Sequence, residues 1–316
     1  MDDSLYKSLI TSRDLKYSYY YSRPVAEKPV ILFIHGFPNT ANDWRYQVAF
    51  FKDQGYGIIA PDMLGYGGTD KPADYARYTL SAMSQDVIDI LDAEKLEKVI
   101  AIGHDCPLTN SGIYKGSIFV SRIANYYPGR FIALAFLAVG YFPYSGETLE
   151  QIHASTKKLF GRQLFGYWDY FGEDDCHKSI EKNIDSFYSM VVPEDPKIWA
   201  THVTPAGALK AWVEANKNTT VASYLSEEEI KAHKEALLQG GLGGPLNWYK
   251  VQTSGLDIED GKNLTPEQKL VHQPVFFAAT TRDEICIPAM GKASCAHFVK
   301  GPVKVKEFDT GHWVMW

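Results

Sequence analysis

Apolar residues in this chain fall into short continuous runs separated by longer amphipathic stretches. Val30–His35, Gly57–Asp62, Val99–Gly103, Phe131–Val139 and Pro274–Ala279 are runs of the first kind, expected of strands buried on both faces. Val303–Phe308 reads as the last strand, and residues 9–24 alternate loosely up to Pro24, which predicts a starting hairpin. Asn42–Gln54 places Trp44, Val48, Phe50 and Phe51 at helical spacing; Ser81–Leu96 puts Met83, Val87, Ile90 and Leu91 on one face. Ser117–Tyr127 and Pro288–Val299 read as two more helices. Strands alternating with helices predict a mostly parallel sheet with helices on both faces. From about 142 to 268 the alternation stops, and the chain becomes helical, aromatic-rich and broken by Pro and Gly. The predicted organisation is an α/β core in two parts, 1–141 and 269–316, with a helical cap, 142–268, inserted between them.

Composition narrows the classes. The 316 residues are ample for a buried core. A net charge of −6 with no long basic run argues against a nucleic-acid partner. No apolar run is long enough to span a membrane, and the first residues lack a signal-peptide pattern. Four cysteines (Cys106, Cys176, Cys286, Cys295) without metal-type spacing are expected to be reduced thiols, and the protein to be cytoplasmic. Aromatic residues at 14% fit core packing or an aromatic-lined pocket equally well.

The candidate chemistry sits at the ends of the predicted strands, where parallel sheets place their sites. Val99–Gly103 runs into His104-Asp105, and Asp105 stands where an α/β sheet can carry a nucleophile on a turn into a helix. An aspartate there selects attack at an alkyl carbon, giving an ester that water can cleave. Asp283 ends the Pro274–Ala279 region and can orient a histidine; Glu284 is its rival. His312 follows the last strand, 29 residues beyond Asp283. Nucleophile, acid and histidine come in the chain order of the α/β-hydrolase triad. The turn His35-Gly36-Phe37-Pro38 can present the Phe37 N–H to an oxyanion. Each feature has a bland alternative: Asp105 as a helix cap, His312 as a structural histidine, His35–Pro38 as a plain Gly-Pro turn.

Taken together, these motifs resemble the α/β-hydrolase superfamily, and within it the soluble epoxide hydrolase branch, over nearly the whole chain. The resemblance rests on His35–Pro38, Asp62–Pro72 with its glycine-rich loop, Gly103-His104-Asp105 and Gly311-His312-Trp313. It extends to the cap strings Phe165–Phe171 and Gly244–Tyr249, in which Tyr167 and Tyr249 match the two tyrosines that hold an epoxide oxygen. It implies an α/β-hydrolase fold, Asp105 as nucleophile, His312 as base oriented by Asp283, and an oxyanion hole from the Phe37 and Cys106 N–H groups. His35, Pro38, Trp168 and Trp248 are expected around the substrate. The partners implied are a small apolar epoxide and water, with no metal or cofactor, in a monomer or homodimer. A haloalkane or haloacid dehalogenase shares the aspartate nucleophile but would hold halide on donors such as Trp168 and Trp248. A ligand-binding protein without activity is the remaining alternative.

Two departures from the family pattern carry expectations of their own. After Asp105-Cys106, nine residues, Pro107–Lys115, precede Gly116-Ser117; without them the string reads Gly-His-Asp-Cys-Gly-Ser. They read as an in-frame insertion, and Thr109-Asn110 can be encoded by a string resembling a splicing branch point. Such an insertion is expected to move the helix start away from Asp105 and impair catalysis. The chain also stops four residues past His312, where the family adds a helix. That predicts an exposed sheet face, a frayed His312 segment and low stability or solubility.

Overall fold

The structure, a computed structural model, describes residues 1–105 and 116–316. The segment containing Cys106 and Pro107–Lys115 lies outside the described residues, so the expected insertion and the Cys106 N–H are not addressed by it. Among the described residues the core is an eight-stranded sheet in the order β1-β2-β4-β3-β5-β6-β7-β8. Its strands are β1 (Tyr6–Ile10), β2 (Lys16–Ser22), β3 (Val30–Ile34), β4 (Gly57–Pro61), β5 (Val99–His104), β6 (Phe131–Leu137), β7 (Val275–Thr280) and β8 (Val303–Phe308). Only the β1–β2 and β2–β4 pairs are antiparallel; the rest are parallel. This is the α/β-hydrolase fold. Helices α1 (Arg45–Asp53), α2 (Leu80–Ala93) and α3 (Gly116–Tyr126) join the first strands. The runs read as doubly covered strands are buried along their length in β3 and β4.

Between β6 and β7 the regular structure is helical: α4 (Leu149–Phe160), α5 (Tyr167–Phe171), α6 (Cys176–Lys182), α7 (Ile184–Val191), α8 (Trp199–His202), α9 (Ala208–Glu214), α10 (Glu227–Gln239), α11 (Gly243–Thr253) and α12 (Leu256–Gly261). The last core helix, α13 (Pro288–Phe298), lies between β7 and β8. No helix among the described residues is long and apolar enough to cross a membrane. The helical layer is fastened to the core at the glycine-rich loop. A Cβ on Gly65 would lie 2.8 Å from the Gly244 carbonyl carbon, so the backbone of α11 sits directly on that loop. Trp248 adds an indole N–H bond to the Leu64 carbonyl at 2.7 Å.

The junction between β5 and α3 departs from expectation. A Cβ on Gly103 would fall 2.3 Å from the Gly116 carbonyl oxygen, and one on Gly116 would fall 2.4 Å from the His104 oxygen. The Ser117 hydroxyl donates to the Gly103 carbonyl at 2.9 Å. The start of α3 is therefore seated against the end of β5, not displaced from it. Two residues without side chains allow that approach, one on each side of the undescribed segment.

The last residues also differ from the frayed end expected. Trp313 stacks on Trp316 with ring centroids 4.7 Å apart, and its indole N–H donates to the Val191 carbonyl at 2.9 Å. Gln47 donates to the Met315 carbonyl at 2.6 Å. Aromatic packing supplies what a continuing helix would otherwise supply. The exposed sheet face is present, since Val303 and Val305 on β8 are 40% and 38% exposed.

Candidate active site

Four strand ends converge on one point. Asp105 follows β5, and its φ of +97° places a non-glycine residue in a backbone region that costs energy and exposes the side chain. His312 Nε2 lies 2.8 Å from Asp105 Oδ1, and His312 Nδ1 lies 2.7 Å from Asp283 Oδ2. The other oxygen of Asp105, Oδ2, accepts the Phe37 backbone N–H at 2.9 Å. The two carboxylate oxygens thus have different partners: Oδ1 faces the imidazole, and Oδ2 faces the turn after β3. Asp283 is fixed in turn by the N–H groups of Ile285 and Cys286, both 2.9 Å from its Oδ1. Its rival Glu284 is engaged elsewhere, in a 2.8 Å ion pair with Arg162.

The electrostatics follow from burial between two carboxylates. Burial alone would favour a neutral His312. The charge of Asp283 and the hydrogen bonds to Asp105 and Asp283 outweigh it and push the ring pKa up to about 9. Burial likewise opposes ionisation of Asp283, but the His312 charge and the two backbone donors hold its carboxyl below the ordinary range. The resting site is an anion–cation–anion row.

Sequence reading missed His104. Its Nε2 lies 2.9 Å from the His312 carbonyl oxygen and its ring centroid 4.9 Å from that of His312. Burial and the neighbouring His312 charge push its pKa down to about 4, so it is neutral, and Nε2–H donates to that carbonyl. The residue before the candidate nucleophile therefore holds the backbone of the candidate base. The string Gly103-His104-Asp105 was the available signal, but nothing in it says where the His104 ring points.

A cavity of about 480 Å³ opens over Asp105 and His312. Its wall includes Phe37, Pro38, Tyr167, Phe171, Phe187 and Tyr249. The Tyr167 and Tyr249 rings are 6.3 Å apart, and Phe171 wedges against Tyr249 at 4.7 Å. Of the residues expected around a substrate, Pro38 is in the wall; His35, Trp168 and Trp248 are not. His35 Nε2 accepts the Met63 N–H at 2.9 Å, and burial favours its neutral ring, so it braces the neighbouring loop. Trp168 stacks on Phe165 at 4.5 Å inside the cap, and the N–H of Trp248 is spent on Leu64. The tryptophans that do reach the cavity are Trp199 and Trp313. The Trp199 N–H is also used internally, on the Met190 carbonyl at 2.7 Å.

A family model described as alpha/beta hydrolase fold matches residues 29–316, and the chain belongs to that family. Among curated relatives, bifunctional epoxide hydrolase 2 of Sus scrofa is 24% identical over 288 residues, covering 90% of this chain and 48% of its own length. The chain thus spans about half of that relative. Epoxide hydrolase A of Mycobacterium tuberculosis is 26% identical over 293 residues, covering 90% of this chain and 85% of its own. Among solved structures, epoxide hydrolase A from Mycobacterium thermoresistibile superposes with a TM-score of 0.77 at 24% identity, covering 98% of this chain and 92% of that one. An epoxide hydrolase from an endophytic Streptomyces gives 0.79 at 22% identity, covering 98% and 89%.

Proposed function

We propose that this chain is an epoxide hydrolase that converts an uncharged, apolar epoxide to a vicinal diol through an ester on Asp105. One observation carries the reading: a carboxylate bonded to an Asp283-bound imidazole shares an otherwise apolar cavity with Tyr167 and Tyr249. In the first step Asp105 Oδ1 attacks an epoxide carbon and the carbon–oxygen bond of the ring breaks. Tyr167 and Tyr249 donate to the departing oxygen, and those bonds strengthen as it gains charge. That oxygen takes a proton from a tyrosine hydroxyl. Forming the ester removes the Asp105 charge that favours protonated His312, and the proton His312 then releases restores the tyrosine through solvent.

Neutral His312 takes a proton from water, which attacks the ester carbonyl carbon. Negative charge develops on Oδ2, where the Phe37 N–H already points. The acyl carbon–Oδ1 bond breaks, the diol takes its proton from His312, and Asp105 is restored. No step calls for a metal or an organic cofactor.

The relatives named epoxide hydrolase support this reading. The dehalogenase alternative is weakened because the cavity's tryptophan N–H groups are committed to the Met190 and Val191 carbonyls, leaving them poorly placed for halide. The test is diol formation from styrene oxide, with Asp105→Ala as the blank. Diol that disappears in the variant supports the proposal; a folded chain that forms none from aryl or alkyl epoxides overturns it.

A further inference from the structure

Cys286 has no part in the chemistry above, yet its sulfur lies 3.5 Å from His312 Nδ1, on the side of the ring away from Asp105. Asp283 Oδ2 lies 2.7 Å from the same nitrogen. Carboxylate, thiol and imidazole thus each turn one donor atom to a common point, within 4.8 Å of one another. All three residues are buried: Asp283 5%, Cys286 1% and His312 4% exposed. One nitrogen, one sulfur and one carboxylate oxygen form a donor set suited to zinc, whose bonds to such atoms run from about 2.0 to 2.3 Å.

We propose that Asp283, Cys286 and His312 form a latent site for a thiophilic divalent cation, with zinc as the fitting ion, and that its occupation arrests the enzyme. The cation takes the place of the proton between His312 Nδ1 and Asp283, and the Cys286 thiol releases its proton to solvent on ligation. The site stands on geometry alone; the form of the arrest rests on the epoxide hydrolase reading. An imidazole that is neutral and metal-bound at Nδ1 carries its remaining proton on Nε2. It can donate to Asp105 but cannot take a proton from water. Asp105 remains an anion and Tyr167 and Tyr249 remain donors, so the first half-reaction survives and the second does not. Zinc therefore leaves the protein stalled as its ester.

The experiment uses the full chain, Cys286→Ala, Cys286→Ser and, as a control thiol remote from the site, Cys295→Ala. Each is titrated with zinc and compared with its own metal-free rate. Zinc is expected to stop turnover of the unaltered chain after one equivalent of diol or less, and intact-mass measurement to show the protein carrying one epoxide. Losing the sulfur should raise the half-inhibiting zinc concentration at least about tenfold in both Cys286 variants, with no such rise in Cys295→Ala. Cobalt provides a readout independent of turnover: a thiolate-to-cobalt absorption that appears in the unaltered chain and in Cys295→Ala and is lost in both Cys286 variants. Equal zinc sensitivity with and without Cys286, or no thiolate–cobalt absorption in the unaltered chain, overturns the site. Inhibition without trapped ester overturns the assignment of the block to His312. A chain inert toward epoxides that still gives the Cys286-dependent absorption overturns the hydrolase reading and leaves the metal site standing.

Discussion

The two sides of the cavity are built on different physics. On the core side, Asp105, Asp283 and His312 are joined by short polar bonds and braced by backbone groups of Phe37, Ile285 and Cys286. On the cap side, Phe171, Phe187, Met190, Val203 and Leu209 meet the cavity through apolar surface. Among the described residues, the hydroxyls of Tyr167 and Tyr249 are the cap's polar contribution to that wall apart from tryptophan N–H groups already bonded elsewhere. Directional bonds fix the reacting atoms to the strand ends, whereas packing shapes what is admitted. A change on the core side should therefore be felt in rate, and one on the cap side mainly in selectivity.

The sharpest way to break that contrast is Asp105→Asn, which keeps the shape and removes the nucleophile. Diol formation should fall by about 10⁴-fold or more, measured by product chromatography. Residual turnover near that of the unaltered chain would remove Asp105 from the chemistry. His312→Gln comes next and should separate the half-reactions: the protein gains the mass of one epoxide and then stops, as intact-mass measurement would show. The tyrosines are where the cap crosses into the core's role. Tyr167→Phe and Tyr249→Phe each delete a bond to a developing charge, about 1.5–3 kcal/mol, so kcat/KM should drop about 10- to 150-fold for each. A loss confined to KM would instead make them simple packing residues.

Gly116→Ala probes the seam between β5 and α3. Its new methyl would press on the Ile34 and His104 carbonyl oxygens, and overpacking of this kind costs about 1–3 kcal/mol. Thermal unfolding should shift down by several degrees, and an unchanged Tm would mean that the seam yields. The smallest effect is expected from Met190→Ala in the cap wall: bulky aryl epoxides should gain on small alkyl ones by about tenfold or less in competition assays, with little change in the best substrate's kcat.

How much of this was legible beforehand follows the same division. Position at a strand end marked Asp105, Asp283 and His312, because a parallel sheet brings the carboxyl ends of its strands together whatever the loops contain. Position does not give direction. His35 and Phe37 lie in the same turn, yet one braces Met63 and the other aims its N–H at Asp105. Trp168 and Trp248 flank the matching tyrosines in sequence and point into packed interior; Trp199, far from any motif, faces the cavity. Helical phase around one aromatic string cannot separate wall from core when both are apolar. Cys286 and His104 stayed hidden because their contacts to His312 span 26 and 208 residues. The displaced start of α3 was expected from counting residues after Asp105, and it fails because the Gly103–Gly116 contact is a property of space, not of spacing.

The unequal partners of the two Asp105 oxygens have a consequence for isotopes. The oxygen facing His312 is the one that bonds to carbon and leaves with the diol, while the oxygen held by Phe37 stays with the protein. In a single turnover in ¹⁸O-water, the diol should therefore carry no label: one of its oxygens comes from the epoxide and the other from the side chain. The heavy atom should appear in Asp105 itself, and only in later turnovers pass from the protein into product.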